Sequence, residues 1–340
     1  MKFKNIDNIM LFGGARLLAD FAAHLKKARM KTVVFSSPRH LEESVADDGT
    51  TLSGHLQKLG VPCYSSDDIN ADPRVARHLT PGTLGIAMGA AWLFEKPFAR
   101  RFDGRLLDFM GIRLPEYRGG AHYTWQILAD NRRGACNLQV IEGGKDTFHL
   151  GPIVKTRDYA FPRACRIPLD YFASAVPQER AFLDQFLKEV RAGRNFKLRR
   201  LDESVSSHFP FLHTKTQGFI DWSWTAEEIE RFIRAFDEPY AGASTFLGRR
   251  RLHLKSASLA RTRERFHPFH AGLIYRLHGG GVFLAARGGA LRVERALDEQ
   301  GRDALAGLRL GDRLATPASA LEDAMEYSAE YGARGVQRRK

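Results

Sequence analysis

The spacing of apolar residues divides the first part of the chain into short strands and amphipathic helices. Continuous apolar runs at residues 8–12, 32–35 and 84–88 predict strands that are buried on both faces. Apolar residues recur at every third or fourth position over residues 17–28, which predicts a helix with one buried face. Strands that alternate with helices in this way are typical of a doubly wound parallel α/β sheet.

The same alternation continues to about residue 205. It predicts helices over residues 51–59 and 177–192, and strands over residues 61–64, 138–141 and from 153 onward. The first strand ends in Gly13-Gly14, which lacks the third glycine of a dinucleotide fingerprint. We therefore interpret that pair as a tight structural turn.

Beyond this point the pattern changes to a linker and a group of short strands. Thr225 and Glu228 form a capping-box pattern, which predicts the start of a helix. Short apolar strands follow at residues 252–254, 272–275, 281–285 and 290–293. They predict a small β-barrel of the OB type. The last residues predict one more helix over 320–331 and a disordered tail over 332–340.

These elements predict four regions. They are an α/β domain (1–205), a linker with a helix (206–244), an OB-like domain (245–316), and a helix with a disordered tail (317–340). A chain of 340 residues has room for two domains. No apolar run is long enough to span a bilayer, and the N-terminus lacks a cleavage site. We expect a cytoplasmic protein without membrane contact.

Positive charge is concentrated in the second half. The net charge is +13, and residues 248–295 contain eleven Lys or Arg against Glu264 and Glu294. Such a surface favours nucleic acid or phosphorylated ligands. A basic OB-like domain would suit tRNA, and it would equally suit a nucleotide-sugar diphosphate.

The cysteines do not predict a metal site or a disulfide framework. Cys63, Cys136 and Cys165 are widely separated and have no metal-type spacing with His. We interpret them as reduced thiols. Cys136 alone lies near the motif described next and is a candidate catalytic thiol.

One segment carries a specific resemblance. Residues 114–120 read Leu-Pro-Glu-Tyr-Arg-Gly-Gly, and residues 125–128 read Trp-Gln-Ile-Leu. The segment resembles the active-site region of the folate-dependent formyltransferases, which include methionyl-tRNA, nucleotide-sugar and glycinamide ribonucleotide formyltransferases. Ile-Asp-Trp at 220–222, Ile-Arg-Ala at 233–235 and Pro239 before Gly-Ala at 242–243 resemble the family's linker into its C-terminal domain.

The resemblance implies a reaction, but the residues at the family's catalytic positions differ in this chain. In the family, an Asn, a His and an Asp assist attack of an amine on the formyl group of 10-formyltetrahydrofolate. Here the Asn falls on Asp108, the His on Met110, and the Asp on His149. With an insertion, Asp146 takes the place of that Asp. Met110 can neither donate a proton nor hydrogen-bond an oxyanion, so the family mechanism is excluded in its usual form.

The candidate site residues follow from this comparison and from the strand ends. For catalysis we select His149 as base, Asp108 or Asp146 as its partner, and His122 as a second candidate. The resemblance implies a folate site of Met88, Gly89, Ala91, Trp92, Leu93, Gln139 and Ile141. It implies an acceptor site of Arg118, Gly119, Gly120 and Tyr123. Strand ends of a doubly wound sheet meet at one edge, so one cleft could hold these groups.

Three functions stay open. The protein transfers a formyl group with a rebuilt site, or it catalyses a different reaction, or it only binds and regulates. We favour a small metabolite or an amino sugar over tRNA as the amine that receives the formyl group, because the active-site residues differ from those of the family. We also expect the His149 side chain to point towards Asp108, with its pKa raised by nearby carboxylates.

Overall fold

The computed structural model describes residues 1–46, 48–120, 122–145 and 149–338. Strands and helices alternate through the first part of the chain, as the apolar pattern predicts. In order they are β1 (Asn8–Gly13), α1 (Ala15–Lys27), β2 (Lys31–Ser36), α2 (Pro38–Glu42), α3 (Leu52–Leu59), β3 (Cys63–Ser65), α4 (Arg74–His78), β4 (Thr83–Met88), α5 (Lys96–Arg100), β5 (Leu106–Met110), β6 (Arg118–Gly119), α6 (His122–Leu128), β7 (Arg133–Val140), β8 (Ile153–Ala160) and α7 (Pro168–Arg191).

Seven of these strands form one sheet in the order β3-β2-β1-β4-β5-β7-β8. Strands β1 to β5 pair in parallel, while β7 and β8 extend the sheet antiparallel. The chain runs outward from β1 to β3 and then returns to the other side of β1 at β4. The sheet is therefore doubly wound, and its switch point lies between the ends of β1 and β4, where such folds bind ligands.

Each face of this sheet is covered by an apolar layer. Phe12 on β1 is fully buried, and four phenylalanine rings lie with their centroids 5.6–5.8 Å from its own. On the other face, Leu11 contributes to the core that α1, α3 and α7 complete. Burial of side chains this size stabilises the fold by about 1.5–3 kcal/mol each. This rigid sheet fixes the strand ends that carry the candidate site.

The second part of the chain contains mostly antiparallel strands. In order the elements are β9 (His208–Phe209), α8 (Thr214–Gln217), α9 (Ala226–Ala235), β10 (Ala243–Leu247), β11 (Arg250–Leu259), β12 (Ile274–His278), β13 (Gly281–Ala286), β14 (Gly289–Leu297), β15 (Leu314–Ala315), α10 (Ala318–Glu326), β16 (Ala329–Gly332) and β17 (Gly335–Arg338).

Six of these strands form a curled sheet in the order β12-β13-β14-β11-β10-β15. Its two edges meet, because Ile274 N donates to Asp312 O at 2.8 Å and Leu314 N donates to Gly272 O at 2.9 Å. The predicted barrel-like character is confirmed. The predicted capping box is also confirmed, since Thr225 Oγ1 accepts from Glu228 N and the Glu228 carboxylate accepts from Thr225 N.

Two element predictions were wrong. The helix expected from residue 177 begins at Pro168 and contains Pro177 in its interior. Its first half is held by buried Tyr171 and Ala175, whose packing outweighs the hydrogen bond that the proline removes.

The chain end also differs from expectation. Helix α10 ends at Glu326, and residues 329–338 form the hairpin β16–β17 instead of a helix end and a disordered tail. The hairpin is held by contacts to Asp67 and Leu212, far away in sequence. Such partners leave no mark on a local apolar pattern. The four predicted domain boundaries stay predictions.

Two negative findings concern the described residues alone. Within that part of the chain, every helix is too short or too polar to cross a bilayer. Over the same residues, no group of His, Cys, Asp and Glu side chains is placed to hold a metal ion.

Candidate functional site

Asp108 and His149 meet at the carboxyl end of the large sheet. Asp108 lies on β5, paired with Gln139 of β7. His149 Nε2 lies 3.7 Å from Asp108 Oδ2, and the side chains are 8% and 20% exposed for His149 and Asp108. The prediction that His149 points towards Asp108 is confirmed. Asp146, the alternative partner, lies outside the described residues.

Gln139 fixes the segment that carries His149. Its side-chain amide donates to His149 O at 3.0 Å and to Gly151 O at 2.7 Å. His149 itself has a backbone φ of +57°, in the left-handed region that few non-glycine residues adopt. Such conformations persist only where surrounding contacts impose them, and they cluster at functional sites. Gln139, which was predicted to bind the cofactor, thus holds the backbone of the segment that carries His149.

Burial shifts both ionisable groups towards their neutral forms. It raises the pKa of Asp108 to about 7. Burial, together with smaller effects of the neighbouring His122, Arg118 and His208, lowers the pKa of His149 to about 3. The expectation of a raised His149 pKa was therefore wrong. It assumed an ionised carboxylate beside the imidazole and left out the cost of removing an imidazolium from water.

The other polar candidates are engaged in hydrogen bonds. His122 Nε2 lies 2.7 Å from Gly119 O, so this nitrogen carries the hydrogen, and burial lowers the pKa of His122 to about 4. The buried Arg118 guanidinium binds the Glu203 carboxylate and donates to Ser206 Oγ at 2.8 Å. Arg118 thereby holds the linker against the site, as a structural residue would.

Gly119 and Gly120 are explained by a close backbone approach. Strand β6 pairs with β9 of the linker. A Cβ at Gly119 would stand 1.8 Å from Phe209 O, and one at Gly120 would stand 2.1 Å from the Phe211 ring. Larger side chains would push the linker away, so these glycines allow the linker to pack against this side of the site.

Tyr123 lies in an aromatic cluster, with its hydroxyl 4.0 Å from the position of a Cβ at Gly111. Its ring packs against Phe161, Tyr171 and Phe172 at centroid distances of 4.7–5.7 Å. Burial, followed by the Glu179 carboxylate, raises its pKa well above the usual value. Its role as an acceptor-binding residue stays a prediction.

The predicted folate loop is held in place at the end of β4. Met88 O accepts from Gly14 N at 3.1 Å, which ties the loop to the switch point. Trp92 Nε1 donates to Asp67 O at 3.0 Å, and Leu93 O accepts from Asn70 Nδ2 at 2.9 Å. Ile141 N donates to Leu106 O at 2.9 Å and joins the loop's apolar layer. Gly89 and Ala91 complete this segment, whose role as a folate site stays a prediction.

Sequence reasoning missed Glu179 on helix α7. It is 8% exposed, and burial raises its pKa to about 7. It lies directly behind the site loop, because a Cβ at Gly111 would stand 2.4 Å from Glu179 Oε1. The signal was present, since Glu179 falls on the apolar stripe of the helix, three residues before Phe182.

Cys136 is unsuited to nucleophilic catalysis. It is fully buried, and burial raises the pKa of its thiol to about 12. A reactive cysteine needs the thiolate form and access to substrate. The three cysteines are free thiols.

Known proteins share both parts of this architecture. The family described as "Formyl transferase, C-terminal domain" matches residues 213–309. A methionyl-tRNA formyltransferase of Geobacter metallireducens is 26% identical over 267 residues, which cover 75% of this chain and 80% of the relative. A second, from Desulfotalea psychrophila, is 28% identical over 57% of each chain, so the match spans little more than half of that relative.

The solved structure of an N-formyltransferase from Helicobacter canadensis, in complex with folinic acid and dTDP-3-aminofucose, superposes with a TM-score of 0.61. It is 13% identical, and the match covers 85% of this chain and 98% of that one. In sequence the chain is similar to methionyl-tRNA formyltransferases, and in fold it is similar to an N-formyltransferase that binds a nucleotide sugar. These similar proteins act on different acceptors by name, so similarity alone does not assign an acceptor.

Proposed function

We propose that the protein transfers a formyl group from 10-formyltetrahydrofolate to an amine of a small metabolite or amino sugar. The observation that carries the proposal is the Asp108–His149 pair, at 3.7 Å, in the positions where the family has its Asn and Asp. An acid-base pair is thus kept although the family histidine is replaced by Met110. The folate part is supported by the sugar formyltransferase complexed with folinic acid.

The pKa values suggest how the two groups divide the work. A proton-transfer group is most effective when its pKa lies near the working pH, as that of Asp108 does. His149 is neutral at the same pH. A neutral imidazole can donate an N–H hydrogen bond to a developing oxyanion.

The transfer then runs through one tetrahedral intermediate. The amine nitrogen attacks the formyl carbon, the carbonyl electron pair moves onto oxygen, and His149 donates a hydrogen bond to that oxygen. Ionised Asp108 accepts the amine proton. When the carbonyl re-forms, the bond between carbon and the folate nitrogen breaks, and Asp108 returns the proton to that nitrogen. The products are a formamide and tetrahydrofolate.

A small acceptor is favoured over tRNA by the altered site. The residues that differ from the family are those next to the reacting carbon, where a change of substrate is accommodated. The basic strands of the C-terminal sheet would serve the diphosphate of a nucleotide sugar, and nucleic acid is the alternative partner.

The direct test is mass spectrometry of candidate amines incubated with the protein and 10-formyltetrahydrofolate. We expect one amine to gain a formyl group. We expect His149→Ala to lose about 10²–10³-fold in turnover, the effect of removing an oxyanion donor. Met110→Ala, two residues beyond Asp108 at the end of β5, is the control and should lose far less.

A binding measurement separates this function from the alternatives. Calorimetry with 5-formyltetrahydrofolate should show binding to the wild type and to His149→Ala alike. No binding at millimolar concentration would overturn the folate proposal and favour another reaction or a regulatory role. Equal turnover by wild type and His149→Ala would remove His149 from the mechanism.

A further inference from the structure

The hairpin β16–β17 returns from the chain end to the large sheet. We call residues 329–338 the roof hairpin. Arg334 Nε and Nη2 donate to the two carboxylate oxygens of Asp67 at 3.0 and 3.1 Å. Beside this ion pair, Arg39 N donates to Ala333 O at 3.3 Å. One end of the roof hairpin is thus attached next to strands β2 and β3.

Strand β16, just before the turn, is attached to the linker. Tyr331 Oη donates to Leu212 O at 2.8 Å, and the Tyr331 ring lies 5.3 Å from that of Phe211. Phe211 in turn packs on Gly120, at the wall of the candidate site. Gln217 adds a bond to Tyr327 O at 2.9 Å, just before the hairpin.

These two attachments lie beside different parts of the candidate site. Asp67 follows β3, whereas Gly120, next to the linker attachment, follows β6. The roof hairpin therefore joins the segment after β3 to the linker beside the site. Asp67 is also in contact with the predicted folate loop, because its carbonyl accepts from Trp92 Nε1.

The two attachments differ in strength. Arg334 and Asp67 are largely exposed, with side chains 79% and 55% accessible. Exposed ion pairs contribute little and are weakened by salt. The Tyr331 end combines a hydrogen bond with aromatic packing. The ion pair is therefore the weaker of the two attachments.

We propose that the roof hairpin is the specificity element of this site, admitting small acceptors and excluding polymeric ones such as the aminoacyl end of a tRNA. The proposal rests on formyl transfer to a small amine and adds the reason for that preference. The 213–309 region that matches the C-terminal formyltransferase domain ends before the hairpin. The hairpin lies outside the residues that this family model matches.

Access can be measured without any turnover. Asp108→Cys places a thiol on the floor of the cleft, in the full chain carrying Cys63→Ser to remove the partly exposed native thiol. Two probes with the same reacting group are compared, N-ethylmaleimide and a maleimide attached to a 5-kDa polyethylene glycol. The readout is the ratio of the labelling rate with the bulky reagent to that with the small one. Met110→Cys gives a second attachment point should Asp108→Cys fold poorly.

We expect Arg334→Asp to raise this ratio by roughly fivefold, in line with the weakness of an exposed pair. Adding Tyr331→Ala should raise it by at least about tenfold. Glu330→Arg, a charge change of the same size at an exposed residue of the same hairpin with no ion pair among the described residues, should leave it unchanged. Arg334→Asp combined with Asp67→Arg should restore the low ratio, because the pair is re-formed with its charges exchanged.

An identical ratio in all these variants would overturn the proposal, and so would a bulky reagent that enters the unaltered cleft as fast as the small one. The outcome does not depend on folate. Failure to bind 5-formyltetrahydrofolate would sink the proposed function while leaving the labelling ratios as they are.

Discussion

Asp108 and His149 have opposite pKa shifts that share one cause. Burial penalises a charge of either sign, so it raises the pKa of the carboxyl to about 7 and lowers that of the imidazole to about 3. Near neutral pH, His149 carries no charge and Asp108 exchanges a proton readily. The pair can therefore move a proton without creating a buried ion pair, whose desolvation would be costly.

The first prediction is a pH dependence set by Asp108. Because the ionised carboxylate accepts the amine proton, kcat/KM should rise with pH through about 7. Asp108→Asn should lower kcat/KM by about 10²–10⁴-fold and remove that inflection. Met110→Ala should keep it. Steady-state rates between pH 5 and 9 test this, and an inflection that survives in Asp108→Asn would assign it to another group.

Helix α9 connects the two sheets. Its residues Ile229 and Ile233 are fully buried in the core formed with the C-terminal strands. On its other side, Thr124 Oγ1 of helix α6 donates to Ala235 O at 3.1 Å. The helix thereby links the site-bearing half of the molecule to the basic half.

The second prediction concerns the start of this helix. Thr225→Ala removes the side chain that accepts from Glu228 N. The free energy of unfolding should fall by about 1 kcal/mol. Urea denaturation measures it, with Ser223→Ala as control, since the structure gives Ser223 only a backbone bond, to Asp221. A loss for the control equal to that for Thr225→Ala would show that the cap is not responsible.

Elements with local signals could be predicted from sequence, and those with distant partners could not. The Thr225 cap and strand β1 are specified by residues within a few positions. The roof hairpin depends on Asp67 and Leu212, which the chain reaches only after folding. In the site, the resemblance to the formyltransferases led us to expect His149 near Asp108. The direction of the His149 pKa shift depends on burial, which the sequence alone does not give.

At the scale of the whole molecule, positive charge lies on one sheet and the proposed chemistry on the other. On the basic sheet, guanidinium groups also stack on aromatic rings, with Arg276 3.7 Å from the Phe283 centroid and Arg313 4.9 Å from that of Phe269. Such a surface attracts anions over a distance that salt shortens.

The third prediction uses salt to separate the two partners. If a polyanion such as tRNA binds this sheet through six to ten phosphates, its affinity should fall by about 10³–10⁵-fold between 50 and 200 mM salt. Formyl transfer to a small amine should change far less. Parallel measurements of tRNA binding and amine turnover test this. A turnover that falls as steeply as tRNA binding would favour a polymeric acceptor.

The contact between Gly111 and Glu179 couples the segment after β5 to helix α7. A Cβ at position 111 would stand 2.4 Å from Glu179 Oε1, so the carboxyl would have to rotate away before a side chain could be placed there. A shorter side chain at position 179 would remove the contact. Positions 111 and 179 therefore limit each other's substitutions, although they lie far apart in the sequence.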